Sequence, residues 1–218
     1  MKKILLFLCL FISVSLSAQT VKIDSTSFTI KHGELTFYLD KDTASYVSVH
    51  SVKYKEMLKI DGIRSDKWHK EKPFGPYHKD AYVHSGYDLG HLTPSNITSY
   101  NDSLNYHSFS LFNQAPQIGG FNRGAWAQLE DRVEKLILAS KKNAVIITGV
   151  LYDAPTQYLK GSRIKVPFVY YKILVFSDGT QKAWMGSNSN GMVTETDLKT
   201  ILDIAKKNGN SLGIKISK

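Results

Sequence analysis

The chain has very little cysteine: Cys9 is the only one in 218 residues. A single thiol forms neither an internal disulfide nor a zinc site built from several thiolates, so the sequence excludes both. Long apolar runs are also scarce. The longest candidate for a membrane span, Ile4–Ile12, falls well short of the ~20 apolar residues that cross a bilayer. Internal repeats and low-complexity blocks are absent from the sequence.

The N-terminal residues have the pattern of an export signal. Two lysines precede the apolar run, and small residues from Ser13 to Ala18 follow it. This pattern predicts a signal peptide over residues 1–18, cleaved after Ala18. A membrane anchor is the alternative, but the run is too short for one, and Cys9 lacks the preceding small residues of a lipoprotein site. We therefore expect export to the periplasm or the cell exterior, without stable membrane association.

The chain that remains after cleavage is basic. Removing residues 1–18 takes away Lys2 and Lys3 and no acidic residue, which lowers the net charge from +9 to +7 over residues 19–218. Excess positive charge suits an anionic partner such as nucleic acid, an acidic glycan or a membrane surface, but it equally serves solubility. Residues 19–218 are enough for one domain with a sizeable core, and no linker-like break in composition divides them.

Apolar patterns predict several strands and two helices. Strands are predicted at residues 34–39, 44–53, 81–87, 144–150, 166–176 and 181–186. Helices are predicted at 122–140, with Asn122 as the N-cap, and at 196–207, ended by Gly209. Residues 61–80 and 94–105 are polar and rich in turn-forming residues, so they are predicted as loops. The irregular order predicts a single α+β domain with a central, mostly antiparallel sheet flanked by helices.

The segment "YDLGHLTPSN" at residues 87–96 places an acid, a glycine and a histidine before a proline. An imidazole has an unperturbed pKa near neutrality, so His91 on such a loop could accept a proton from water. A lone histidine is more often an ordinary surface or core residue, and the Asp-x-Gly-His pattern is weak evidence by itself.

Asn122 and Glu130 lie eight residues apart on the first predicted helix. Steps of three to four residues stay on one helix face, so the two side chains point broadly the same way. An amide oxygen and a carboxylate suit a hard cation such as Mg²⁺, which takes few protein ligands. The alternative is that Asn122 caps the helix and Glu130 is an ordinary solvated residue.

From Tyr87 to about Ile137 the chain resembles the DNA/RNA non-specific endonucleases, the sugar-nonspecific nucleases of the ββα-metal superfamily. Their signature is Asp-Arg-Gly-His, then an asparagine, then a second asparagine opening a helix with Gly-Ala-Trp and Leu-Glu. The counterparts here are "DLGH" at 88–91, "FNQAPQ" at 112–117 and "FNRGAWAQLED" at 121–131. More loosely, the resemblance extends to Arg64 and to "KVPFVYYKILV", and it covers most of residues 60–185.

The resemblance implies a ββα-metal motif and a role for each matching residue. His91 would be the general base, and Asn122 would be the direct ligand of Mg²⁺ (or Mn²⁺). Glu130 would hold metal-bound water, and Asn113 would lie beside the base and those waters. Asp88 would maintain the geometry of the motif.

The chain departs from the family pattern in its cations. Leu89 replaces the arginine of the motif, and Glu134 stands where a second basic residue is expected, four residues after the helix glutamate. Losing one cation near the phosphate costs roughly 10²–10³ in rate. Arg64 is the best candidate for a phosphate-binding residue, and Arg123 and Arg132 are candidates to replace the missing charge.

The leading hypothesis is an exported, Mg²⁺-dependent endonuclease that cleaves DNA and RNA without strong sequence specificity. An inhibitor protein is a further partner that the resemblance allows. The main alternative is a family member that binds nucleic acid but no longer cuts, with Leu89 as the mark of lost catalysis. A weaker alternative is a serine hydrolase that uses Ser85 or Ser95 with His91, but the chain lacks a Gly-x-Ser-x-Gly elbow.

Overall fold

The computed structural model describes residues 20–23, 28–40, 45–72, 78–189 and 191–217. The predicted signal peptide, residues 1–18, lies outside these ranges. None of the helices within them combines the length and the apolar character that crossing a bilayer requires.

Thirteen strands and five α-helical segments follow one another along the described chain. They are β1 (Thr20–Ile23), β2 (Phe28–His32), β3 (Leu35–Leu39), β4 (Ser45–Val52), α1 (Tyr54–Met57), β5 (Tyr87–His91), α2 (Asp102–Ser108), β6 (Gln114–Ile118), α3 (Gly119–Phe121), α4 (Ala127–Ser140), β7 (Ala144–Leu151), β8 (Gln157–Tyr158), β9 (Lys165–Val166), β10 (Val169–Phe176), β11 (Gln181–Ser187), β12 (Val193–Thr196), α5 (Leu198–Lys207) and β13 (Ile214–Ser217). Short 3₁₀ turns lie at Lys79–Tyr82 and Asn96–Thr98, and a π-helical turn at Asn122–Trp126 joins α3 to α4.

A seven-stranded sheet forms the centre of the molecule, in the spatial order β12-β11-β10-β7-β4-β3-β2. Every neighbouring pair in it is antiparallel. All eight residues of β10 are buried, because this strand lies inside the sheet and is covered on both faces. The predicted fold class, an α+β domain with a mostly antiparallel sheet, is confirmed.

The ββα unit consists of the β5–β6 hairpin and the helical segments that follow it. Asp88 pairs with Gln117 and His91 with Gln114 across the antiparallel hairpin. A Cβ atom on Gly90 would lie 2.2 Å from Oε1 and 2.5 Å from Cβ of Gln117, so only glycine fits beside this side chain. The helix α4 then packs its buried face, formed by Leu129, Val133 and Ile137, into the main core.

Most of the predicted strands are confirmed, with boundaries shifted by a few residues. They correspond to β3, β4, β7, β10 and β11, although Ala44 at the predicted start of one lies outside the described residues. The strand predicted at 81–87 is wrong. His84 and Gly86 adopt positive φ angles of 57° and 82°, so the chain turns there and β5 begins only at Tyr87.

Two helix predictions need correction. The loop predicted at 94–105 contains the start of α2, which Asn101 caps by accepting a hydrogen bond from the Leu104 amide at 3.0 Å. Asn122 is not an N-cap. The helical path begins earlier, at Gly119, and Asn122 has helical angles of φ −55° and ψ −54°. The last helix is confirmed as α5, and Gly209 follows its end with a φ of 73°.

Candidate active site

A pocket of about 810 Å³ opens beside the ββα unit. Its walls come from β5, the helical segments after β6, the loop around residues 64–68 and the 3₁₀ turn Lys79–Tyr82. Six of the eight residues proposed from the sequence line it, namely Arg64, Asp88, His91, Asn122, Arg123 and Glu130. Asn113 and Arg132 are not part of the lining.

His91 ends β5 and lies against two aromatic rings. Its ring centroid is 4.5 Å from that of Trp68 and 4.9 Å from that of Phe109. Nε2 is buried and makes no hydrogen bond to the described part of the chain. Burial, followed by the positive charge of Arg64, lowers the pKa of His91 to about 3. The imidazole is therefore neutral at neutral pH, which is the form that accepts a proton.

Asp88 anchors two residues at the start of the helical segment. It accepts a hydrogen bond from Asn122 Nδ2 at 2.8 Å, and its two carboxylate oxygens pair with Arg123 Nη1 at 2.7 and 2.5 Å. Since the amide nitrogen of Asn122 is engaged, its Oδ1 is the atom that remains to accept a contact in the pocket. Asp88 thus orients the side chain of Asn122 across the hairpin.

Glu130 lies on α4, one turn into the helix and at the edge of the pocket. Its side chain is 21% exposed, and Oε1 makes no hydrogen bond to the described residues. The ammonium group of Lys172 approaches this oxygen to 3.8 Å. Burial raises the pKa of Glu130 and lowers that of Lys172. This oxygen therefore keeps its lone pairs for a further contact.

Lys172 is a site residue that sequence reasoning missed. It is 1% exposed and donates hydrogen bonds to Thr148 Oγ1 at 2.7 Å and to the Leu92 carbonyl at 3.4 Å. Its position in the middle of the otherwise apolar strand β10 was the only available signal. A charged residue in a fully buried strand needs a partner, because an unpaired charge there is strongly unfavourable.

Asn113 lies below the pocket. Its Oδ1 accepts a hydrogen bond from the Thr93 amide at 2.9 Å. Its Nδ2 donates to the carbonyls of Thr93 at 2.7 Å and Ser108 at 2.8 Å. The fully buried side chain therefore fastens the backbone just after His91 and does not line the pocket.

The basic residues near the pocket differ in how accessible they are. Arg64 lies over the Phe109 ring at 5.3 Å, donates to Asp66 at 3.1 Å and is half exposed. Lys79 also lines the pocket, and the lysine-rich composition of its loop was the only sequence signal for it. Arg132 points elsewhere: it donates to Glu195 at 2.9 Å.

Leu89 forms an apolar part of the pocket wall. It is partly buried and packs against the smaller of the two apolar clusters, which also includes Trp68 and Tyr82. The position that carries arginine in the resembling family thus contributes no charge here.

The serine alternative finds no geometric support. No hydrogen bond joins His91 to Ser85 or Ser95 within the described residues, and Ser85 Oγ donates to the Tyr82 carbonyl at 2.8 Å.

The donor set of the pocket fits a hard divalent cation. Asn122 Oδ1 and Glu130 Oε1 are oxygen donors, and the latter is buried without a hydrogen-bond partner among the described residues. Mg²⁺ prefers such oxygen donors and retains several waters.

Comparison with known proteins gives a family match over most of the chain. A family model described as DNA/RNA non-specific endonuclease matches residues 15–214. The chain is 28% identical over 171 residues to a nuclease from Nostoc sp., covering 75% of this chain and 59% of that protein. It is 26% identical over 160 residues to mitochondrial endonuclease G from Bos taurus, covering 62% and 53%. The chain thus spans little more than half the length of these curated relatives.

A solved structure shares the fold. The crystal structure of the EndoG/EndoGI complex, whose subject is the mechanism of EndoG inhibition, superposes with a TM-score of 0.66 at 22% identity. The superposition covers 82% of this chain and 83% of the other.

Proposed function

The chain belongs to the DNA/RNA non-specific endonuclease family, and from this we propose that it hydrolyses phosphodiester bonds of DNA and RNA without strong sequence preference. One observation carries the proposal. A neutral, unpartnered imidazole at His91 shares a pocket with two oxygen donors, Asn122 and Glu130, on a ββα unit. A base and a hard-cation site in one pocket are the two elements that metal-assisted hydrolysis needs.

His91 is the general base in this proposal. Its depressed pKa keeps the ring unprotonated at neutral pH, and its buried Nε2 is not already engaged with the described chain. The ring would take the proton of the water that attacks phosphorus. The tilted and edge-on contacts with Trp68 and Phe109 hold the imidazole plane in place while it does so.

Asn122 and Glu130 would hold Mg²⁺ (or Mn²⁺), Asn122 directly and Glu130 through bound water. The cation, when bound, supplies charge neutralisation at the phosphoryl oxygens and at the departing 3′ oxygen, whose release leaves a 5′-phosphate end. Asp88 orients the Asn122 amide through its 2.8 Å hydrogen bond. Lys172 balances the charge of Glu130 from the buried side.

Arg64, Lys79 and Arg123 are the cations that would contact the nucleic-acid backbone, since all three line the pocket. Contacts to phosphates position a duplex or single strand but carry no direct sequence information. This agrees with cleavage of both DNA and RNA.

We also propose that the protein is exported, on the strength of the N-terminal pattern over residues 1–18. N-terminal sequencing of the protein recovered outside the cytoplasm tests this, and a chain that retains Met1 would contradict it. An inhibitor protein is a proposed partner class as well, because EndoG, which shares this fold, is inhibited in the EndoG/EndoGI complex.

The test is degradation of plasmid DNA and of RNA by the purified protein, followed on gels with Mg²⁺, with EDTA, and with the His91→Ala variant. We expect loss of both substrates with Mg²⁺ only, and none with the variant. Full activity of the variant would remove His91 as the base.

The second candidate, a binding protein without turnover, is favoured by one observation: Leu89 presents an apolar wall where the family motif has a cation. In the same gels it predicts intact substrates that migrate more slowly at low salt, since phosphate contacts weaken as salt rises. That result would overturn the nuclease proposal.

A further inference from the structure

A second group of ionisable side chains lies outside the active-site pocket, and we call it the histidine cluster: His32, His69 and His107 around Glu71. His32 Nε2 lies 2.8 Å from Glu71 Oε2, and His69 Nε2 and His107 Nδ1 each lie 3.1 Å from Oε1. Burial raises the pKa of Glu71, but the hydrogen bonds from His107, His32 and His69 outweigh it, so the pKa lies below its ordinary value. Three imidazole nitrogens thus surround one carboxylate, and imidazole and carboxylate groups are both ligands of transition metals.

The hydrogen bonds of His69 require a proton or a metal ion close to Glu71. Its Nδ1 lies 3.0 Å from the carbonyl oxygen of Lys67, which only accepts, so Nδ1 carries a hydrogen. A hydrogen bond from Nε2 to the carboxylate oxygen 3.1 Å away therefore requires a second hydrogen on the ring, and without it the lone pair of Nε2 faces that oxygen. Two acceptors in contact repel each other unless a proton or a metal ion lies close to them.

His32 and His107 are arranged as a pair of metal ligands. Their rings stack with centroids 3.5 Å apart and an interplanar angle of 9°, and each turns a ring nitrogen towards Glu71. A neutral imidazole nitrogen is the common protein ligand of transition metals.

We propose that His32, Glu71 and His107 form a binding site for a transition-metal ion of the Zn²⁺ class. Their three ligand atoms all lie within 4.8 Å of one another. Tetrahedral zinc with bonds of about 2.0–2.1 Å has ligand atoms roughly 3.3 Å apart, so small side-chain movements convert the present contacts into coordination. Two imidazoles and a carboxylate select Zn²⁺ over Mg²⁺, unlike the oxygen donors of the active site.

The site would tie together three parts of the fold. His32 lies on the edge strand β2, His107 on α2, and Glu71 on the loop that carries Arg64 and Trp68 into the pocket. The side chains of the three ligands are only 12–24% exposed, so the ion would be sheltered while still reachable from solvent. The bound ion would fix this loop, and with it the ring of Trp68 beside His91, in a domain without cysteine.

The experiment measures metal binding and does not depend on cleavage. The purified protein is stripped with EDTA, desalted and titrated with ZnCl₂, and the zinc retained per chain is measured by elemental analysis. We expect one equivalent, together with a rise in melting temperature of roughly 5–10 °C at a hundredfold excess over the dissociation constant. With Co²⁺ as the probe, visible absorption of a tetrahedral complex should appear. No retained zinc in the wild-type protein would overturn the proposal.

Variants locate the ion. His32→Gln and His107→Gln should each weaken zinc binding at least about tenfold, and His32 lies partly exposed on an edge strand. Asn122→Ala should keep the zinc, which separates this site from the active-site pocket. His84→Asn is the matched control, because it removes an exposed histidine outside the cluster. Unchanged zinc binding in both cluster variants would place the ion elsewhere and contradict the assignment. Loss of zinc binding in Asn122→Ala would do the same.

Discussion

His91 and the histidine cluster carry the same side chain in opposite surroundings. Nε2 of His91 is buried between aromatic rings without a hydrogen bond to the described chain, and burial lowers the pKa of the ring to about 3. In the histidine cluster, every imidazole contacts the carboxylate of Glu71 at 2.8–3.1 Å. The first environment leaves Nε2 without a hydrogen-bond partner among the described residues, and the second engages at least one nitrogen of each ring.

The difference separates a group kept for chemistry from groups that stabilise the fold. A buried polar atom without a partner costs about 1–3 kcal/mol, so the unpaired nitrogen of His91 opposes folding. Hydrogen bonds to an ionised carboxylate are the stronger kind and link β2, α2 and the loop at residues 61–72. Substitution of His91 should therefore change the cleavage rate, and substitution in the histidine cluster should change the free energy of unfolding.

Replacing His91 should give the largest effect, and the effect should be on rate. We expect His91→Ala to reduce the rate of DNA cleavage roughly 10²–10⁴-fold, the usual contribution of a general base. The free energy of unfolding should change little, because relief of the unpaired Nε2 offsets lost packing against Trp68 and Phe109. Plasmid cleavage rates and urea unfolding measure the two quantities. His84→Asn is the control, and cleavage by His91→Ala at the rate of that control would contradict the assignment.

Restoring a positive charge at position 89 should give the next largest effect on the cleavage rate. Leu89→Arg should raise the cleavage rate, up to roughly 10²-fold, because it restores positive charge beside the phosphate site. Leu89→Met keeps the size and the apolar character and should leave the rate near that of the wild type. A rate that is equal in both variants would mean that Arg64, Lys79 and Arg123 already supply the charge.

Changing Glu71 should act on stability first. Glu71→Gln removes the charge that three imidazoles contact, and we expect the free energy of unfolding to fall by about 1–3 kcal/mol. Urea unfolding in EDTA measures this without a contribution from bound metal. Glu56→Gln, which breaks only the surface pair with Lys59 at 2.8 Å, should cost less than about 0.5 kcal/mol. Equal costs in the two variants would show that the histidine cluster contributes no more than a surface ion pair.

Local patterns predicted much of the fold and part of the candidate site. Periodicity alone located α4 and most strands of the main sheet, because these elements bury one face or both. The motif order then identified Asp88, His91, Asn122 and Glu130, which the structure places around one pocket. The orientation of Arg132 was predictable in principle, since residues two apart on a helix, such as Glu130 and Arg132, do not share a face.

Pairings between distant segments were not predictable from the sequence. Lys172 meets Glu130 across 42 positions, and His32 meets Glu71 across 39, because the sheet and loop bring them together. Spacing along the chain carries no information about such contacts. Asn113 shows the same limit: the motif located it, but its contacts with the backbone of Thr93 and Ser108 depend on the path of the folded chain.

The last predicted effect is a pH dependence of stability due to His91, and it is measured as a slope. The pKa of this imidazole is about 3 in the folded chain and near 6.5 when unfolded, so below pH 6.5 the unfolded chain binds a proton that the folded chain does not. Its contribution to stability is therefore complete above about pH 6.5 and is progressively lost as the pH falls towards 3. His91→Ala lacks this term, so its melting temperature should fall less steeply than that of the wild type between pH 7 and pH 4. His84→Asn, which retains His91, should follow the wild-type slope. Parallel curves for wild type and His91→Ala would mean that the His91 ring is protonated as easily in the folded chain as in the unfolded one, which would contradict the lowered pKa of the buried imidazole.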